Sequence, residues 1–153
     1  HPNRVFAQSQ IFGPTRSGAT GDVQATVPDS LQIVTQFESG STTGRAIYHL
    51  SGIALHGPQK QIHLYGSEGT IKVILSPQEE VWIGKKADST LNRLTISDAE
   101  RGGWRVEQEF IGAIRGEETI QFTSFATGVK YMEFTEAVAS SSATGQVVEV
   151  TQD

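Results

Sequence analysis

The chain has 153 residues, a formal net charge of −5 with 19% charged residues, and no cysteine. One domain is the expectation at this length, which suffices to bury about 70% of the surface an unfolded chain exposes. The missing cysteines exclude disulfides, thiolate metal sites and a cysteine nucleophile, while mixed charges with an acidic excess argue against a surface that tracks nucleic-acid phosphates. No apolar run approaches the ~20 residues of a membrane span. His1-Pro2-Asn3-Arg4 leads into no apolar core of a secretory signal, and the uncrosslinked composition suits a cytoplasmic protein.

Taken in order, Arg4 to Phe12 alternates weakly and reads as a strand. Gly13 to Asp22 is polar and glycine-rich and reads as a loop. Its plain reading is a flexible connection. Its sharper reading is a segment that closes over a ligand, with Arg16 donating to an anion or a hydroxyl. Pro28-Asp29-Ser30 marks a turn, and Leu31 to Phe37 reads as the next strand. Ser39 to Gly44 is read as a hairpin loop leading to a strand from Arg45 to Ile53. In that strand Ala46, Tyr48 and Leu50 share one face, and Ile47, His49 and Ser51 the other.

Gln61 to Leu75 carries the clearest pattern. Ile62 and Leu64, then Ile71, Val73 and Leu75, alternate with polar residues about Gly66-Ser67-Glu68-Gly69. That is the mark of a β-hairpin with one buried face, expected inside the sheet under the later helices. Val81-Trp82-Ile83 and Leu94-Thr95-Ile96 are read as short strands. From Trp104 the period changes. Val106, Phe110 and Ile114 recur at i, i+4 and i+8, a helical stripe of about three turns, with Gly116 at its C′ position. Glu117 to Phe122 is a connection. A second helix opens at Thr123 or Ser124 and runs to about Ser142, with Phe125, Val129, Met132, Ala137 and Val138 on its apolar face. Gly128 inside it costs about 1 kcal/mol against alanine unless something packs close. Gly145 caps it, and Gln146 to Val150 reads as a terminal strand.

Strands therefore come early and helices late. The order predicts an α+β fold, a mainly antiparallel open sheet with two late helices packed on one face. Two helices cannot cover both faces of such a sheet, so the far face needs solvent, another domain or another subunit.

The chemistry of single motifs is thin. Sixteen glycines never occur as Gly-x-Gly, so the dinucleotide fingerprint is absent, and no Gly-Lys-Ser or Gly-Lys-Thr occurs. Gly66-x-x-Gly69 leads into a strand, where an anion cradle usually has a helix N-terminus. His49, His56 and His63 are seven apart, which places neighbours on opposite faces of a strand, and no acidic residue lies between Gly40 and Ser67. No metal site is expected. No serine sits in Gly-x-Ser-x-Gly, and the sequence-adjacent glutamates read as solvated faces. Trp82 and Trp104 each border an element, as packing residues or as stacking surfaces for a sugar ring or a partner.

Several stretches in order resemble the C-terminal domain of the Gfo/Idh/MocA oxidoreductases, the glucose–fructose oxidoreductase and inositol dehydrogenase family. Arg4 to Ala7 resembles the strand that opens the family's sheet, and Pro28 to Leu31 with Phe37 to Gly40 its second strand. Ile62 to Ile71 is similar to its "i-x-l-x-G-s-x-G-t-l" hairpin. Glu109-Phe110 with Ile114-Arg115-Gly116 resembles its "E-F-x-x-x-I-x-G" helix. Phe125 to Val148 resembles its last helix with an "S-A-x-x-G-x-x-V" ending. The resemblance spans nearly the whole chain.

What the resemblance implies is an NAD- or NADP-dependent oxidoreductase acting on a sugar, cyclitol or related polyol. In it a Rossmann domain of the same chain, absent from these residues, would hold the cofactor. The family's Glu-Lys-Pro motif and Asp-x-x-x-His pair are also absent, and Gly52 stands where some members carry an arginine after the serine matching Ser51. No catalytic residue or cofactor site is therefore expected here, and no hydride transfer by these residues alone. The expected role is to close the substrate cleft on one side and to pair with a second copy through the open face. Candidate substrate contacts are Arg16, His49, His56 and Trp104. The rival reading is a stand-alone binding or scaffold module that reuses the fold without a dehydrogenase half.

Overall fold

A computed structural model describes residues 1–121 and 124–150. The chain divides into two compact units, His1–Ala54 with Arg105–Asp153, and Leu55–Trp104. The fold is α+β, mostly antiparallel strands with two helices late in the chain.

The first unit is built on a four-stranded antiparallel sheet in the order β10-β1-β4-β5, with β1 Arg4–Gln10, β4 Ser30–Ser39, β5 Thr42–Ser51 and β10 Val148–Glu149. The register explains its two faces. Val5 pairs with Thr35, Ala7 with Ile33, and Ile33 in turn with Tyr48. These side chains point to one side, where Ala137 and Val138 of α2, Phe125–Thr144, complete the core with Val150. Leu31, Tyr48, Phe134 and Val148 pack around it.

Helix α2 is also joined to the sheet by a buried polar contact. Pairing with β10 ends at Val5. The Ala7 N–H then donates to Ser141 Oγ at 2.9 Å, and that hydroxyl donates to the Gln146 carbonyl at 2.6 Å. One buried serine thus satisfies the amide that the short last strand leaves behind. Ser124 caps α2, accepting from the Thr127 N–H at 3.2 Å. Thr123, the other expected cap, and Phe122 lie outside the described residues.

Helix α1, Val106–Arg115, ends at Gly116 in the left-handed conformation, φ 71°, as its sequence predicts. Its packing differs from expectation. Glu109 and Gly112 are the buried positions, while Phe110 and Ile114 of the apolar stripe stand exposed. The segment after the helix folds back on it: the Gln121 N–H donates to Glu109 Oε2 at 3.1 Å, and Arg105 pairs with Glu118 at 2.9 Å. Only the second half of the α2 apolar face is buried. Phe125, Val129 and Met132 are exposed, Phe125 by 86%. Among the described residues nothing lies within 4 Å of a Cβ at Gly128, so the close packing that would justify a glycine there is not found.

Two segments expected to be loops are strands. Residues 13–22 contribute to a two-stranded ribbon, β2 Thr15–Gly18 and β3 Gly21–Gln24, closed by Ala19-Thr20. All eight strand residues are exposed, so no apolar alternation announced them. Between β4 and β5 the loop shrinks to Gly40-Ser41, because Ser39 already pairs with Thr42. Gly40 takes φ 59°, open to glycine without a Cβ clash.

The second unit holds the Gln61 to Leu75 hairpin, and here the expectation is corrected. The hairpin does not enter the β1-β4-β5 sheet. It starts a separate four-stranded antiparallel sheet, β6-β7-β8-β9, from β6 Gln61–Gly66, β7 Gly69–Ile74, β8 Glu80–Lys85 and β9 Asn92–Leu94. The turn itself is as read: Gly66 pairs with Gly69 about Ser67-Glu68. The register stacks Ile62, Val73, Val81 and Leu94 in one cross-strand row, and Leu64, Ile71 and Ile83 in the next. All seven lie on one apolar face. The opposite face carries the row His63, Lys72, Trp82 and Arg93.

Candidate functional site

The face of the first sheet opposite α2 is defined by the same registers. Its middle row is Phe6, Val34 and Ile47. One flanking row is Gln8, Gln32 and His49, the other Arg4, Gln36 and Arg45. Ile47 is 79% exposed. An apolar row bordered by amide, imidazole and guanidinium groups has the pattern of a contact surface, dry in the middle and polar at its rim. Arg4 Nε donates to Glu149 at 2.7 Å along one margin.

His49 stands on this open face of β5, across from Gln32. Arg16 is in the β2–β3 ribbon, and its guanidinium is used internally. It donates to the Val27 carbonyl at 2.8 Å and approaches the Asp29 carboxylate at 3.9 Å. The pair Arg16 and His49 shares no hydrogen bond or ion pair among the described residues.

Asp29 organises the base of the ribbon. Its two carboxylate oxygens accept from the Phe12 N–H at 2.9 Å and the Gly13 N–H at 2.7 Å. These two backbone donors, helped by Arg16, hold its carboxyl below the usual carboxylate range. Sequence reading gave this residue only a turn role. Pro28-Asp29-Ser30 is a recognisable turn signal, but a carboxylate reaching back across 16 residues to two amides has no local signature.

In the second unit, His56 has φ 56°, the one non-glycine among the described residues in the left-handed region. That conformation costs free energy and is often found where geometry serves a function. Trp104 is 80% exposed, so it is not a packing residue of this unit. The pair His56 and Trp104 shares no hydrogen bond either. Trp82 is half-buried, its indole N–H donating to Glu80 at 2.9 Å, and Glu80 also pairs with Arg93 at 3.4 Å. Among the described residues no three His, Asp or Glu side chains gather as a metal site, and no helix is long and apolar enough to cross a membrane.

No protein-family model matches the chain, and no curated protein matches it. Solved structures do. An NAD-binding oxidoreductase from Klebsiella pneumoniae superposes with a TM-score of 0.74 at 18% identity, over 99% of this chain and 46% of that one. A super-repressor mutant of Gal80p from Saccharomyces cerevisiae gives 0.71 at 14%, over 99% and 45%. The transcriptional regulator Gal80p from Kluyveromyces lactis gives 0.69 at 13%, over 98% and 41%. These neighbours are members of the Gfo/Idh/MocA family. The chain has the fold of that family's C-terminal-like domain. The resemblance read from the Ile62–Ile71 hairpin and the two late helices therefore holds at the level of fold. The chain spans less than half the length of each of these structures.

The nicotinamide cofactor that the fold family implies does not fit the residues present. No Gly-x-Gly turn exists to receive a pyrophosphate, and the Gly66 to Gly69 turn joins two strands rather than a strand and a helix. No hydride-transfer step is derived from these residues.

Proposed function

We propose that this chain is the substrate-side and subunit-contact domain of an NAD- or NADP-dependent oxidoreductase acting on a sugar, cyclitol or related polyol. The carrying observation is the superposition on an NAD-binding oxidoreductase over 99% of this chain but only 46% of that protein. In this reading a nucleotide-binding part performs the redox chemistry. The present domain shapes the substrate cleft, and the protein is cytoplasmic. Arg16, His49, His56 and Trp104 are the proposed substrate contacts. The open face with Phe6, Val34 and Ile47 is the proposed contact with a second copy. Exposed apolar stripes on α1 and on the first half of α2 support a domain that works in company, since stable monomers rarely expose large apolar patches.

A second reading is favoured by the match to Gal80p, a transcriptional regulator with the same fold: a binding module that does no redox chemistry. The complete reading frame separates the two. A strand followed by Gly-x-Gly-x-x-Gly, and later Glu-Lys-Pro, supports the enzyme. A start codon close to His1 supports the module. In the complete protein, alanine at His49 or Trp104 should raise the Michaelis constant for a polyol. Unchanged constants remove these residues from the substrate side.

A further inference from the structure

The β6–β7 turn meets the loop that follows β8 in a hollow of about 360 Å³. Gly66, Gly69 and Gly84 form part of its wall. The backbones there approach so closely that a Cβ on Gly69 would clash with the Gly84 carbonyl, and one on Gly84 would lie 2.8 Å from Leu91 Cδ2. The loop is pinned in place. The Lys86 N–H donates to the Glu68 carbonyl at 2.8 Å, the Lys85 N–H to the Asp88 carboxylate at 2.8 Å, and the Asp88 N–H to the Lys85 carbonyl at 2.9 Å. The walls are thus set before any ligand arrives, which lowers the ordering cost of binding.

The lining is rich in idle donors. Ser67, Thr70, Ser89 and Thr90, which carry hydroxyls, and Lys85 and Lys86, which carry ammonium groups, are among its lining residues. Among the described residues none of these six side chains has a hydrogen bond or ion pair. Asp88 is the one carboxylate in the lining, and it already accepts from the Lys85 amide. Two ammonium groups against one carboxylate repel a metal cation and favour an anion. Surplus donors call for a ligand made of acceptors, and a tetrahedral oxyanion offers several, each bond strengthened by charge. The sequence argues against phosphate at Gly66 to Gly69 because a strand follows. The fold changes that balance by placing Lys85, Lys86, Ser89 and Thr90 against the turn.

We propose that this hollow binds a phosphate group, either inorganic phosphate or the ester end of a small phosphorylated metabolite. The site shares no residue with the proposed substrate contacts and does not depend on the oxidoreductase reading.

The test is an amide-resolved NMR titration of the 153-residue chain at low salt with inorganic phosphate, glucose phosphate and glucose. Both phosphates should produce saturable shifts confined to residues 66–70 and 84–91, and glucose none. Lys85→Ala and Lys86→Ala should each weaken binding about tenfold, the scale of one charge-assisted hydrogen bond, with the spectrum elsewhere unchanged. If either lysine variant fails to fold, Ser89→Ala combined with Thr90→Val must weaken binding in its place. A stronger response to the ester assigns the site to a metabolite, and an equal one to the free ion; both uphold the proposal. It is overturned by shifts that do not saturate, by shifts spread equally around Lys60, Lys72 and Lys130, by glucose moving the same amides, or by folded variants that bind like the parent.

Discussion

Replacing Ser141 by alanine isolates the contact that ties α2 to the sheet. Ser141 is fully buried, and its hydroxyl stands between the Ala7 amide and the Gln146 carbonyl. Alanine leaves the buried Ala7 N–H without its acceptor. An orphaned buried amide costs about 1–3 kcal/mol. The Gln146 carbonyl is partly buried, so water can compensate it in part. The expected loss is about 2 kcal/mol, a sizeable share of the ~5–15 kcal/mol that holds a typical domain together. For a chain of this size it lowers Tm by roughly 4–8 °C. The assay is urea unfolding followed by helical circular dichroism. Both helices belong to the first unit, whereas Trp82 and Trp104 lie in the second, so tryptophan fluorescence is the wrong probe. The midpoint should fall with an unchanged slope. Ser142→Ala is the control. Among the described residues its hydroxyl meets only the Ser9 hydroxyl, in a half-buried position, and the expected loss is below about 1 kcal/mol. If Ser141→Ala stays within about 0.5 kcal/mol of the parent, the contact does not carry the burden assigned to it here.

Gly128→Ala should stabilise α2 by about 1 kcal/mol, since alanine is the better helix former and its Cβ meets open space; a loss of stability in the same unfolding assay would contradict this. Gly69→Ala should destabilise the second unit by about 1–3 kcal/mol or more, because the obstacle is backbone and cannot rotate away; here tryptophan fluorescence reports the change. Asp29 has a lowered pKa, so its contribution is present above the ordinary carboxylate range and is lost only as pH falls through the lower folded-state value. Hydrogen exchange at Phe12 and Gly13 should therefore stay protected at mildly acidic pH and open in stronger acid, and Asp29→Ala should abolish that protection at every pH. Exposed exchange-labile amides in the parent at neutral pH would refute the latch. Ile47→Asp should shift any dimer of the chain to monomer in light scattering, by placing a charge in the middle of the apolar row.

How much of this was legible follows from what each signal depends on. The Gln61 to Leu75 hairpin was readable because alternation and a glycine turn are local, and its turn residues pair as expected. Which sheet it joins is a matter of distant pairing, and alternation is silent about that. The β2–β3 ribbon was missed because its strand residues are all exposed, so polarity does not alternate. The stripes on α1 and α2 announced helices correctly, yet a period identifies a face without naming what covers it. Ser141 was hidden because a serine late in a helix is ordinarily a solvated residue. Of the four proposed contacts, His49 was placed on the right strand face from the sequence. The internal use of Arg16 could not be seen, since its partners Val27 and Asp29 come from the segment between β3 and β4.

The most direct measurement is label transfer catalysed by the product of the complete reading frame. That protein is incubated with nicotinamide cofactor deuterated at the hydride position and a panel of keto-sugars and keto-cyclitols, and the products are read by mass spectrometry. The account predicts deuterium on a carbinol carbon of at least one product, at a rate lowered by substitution at His49 or Trp104. A product that binds no nicotinamide nucleotide and moves no label would contradict it.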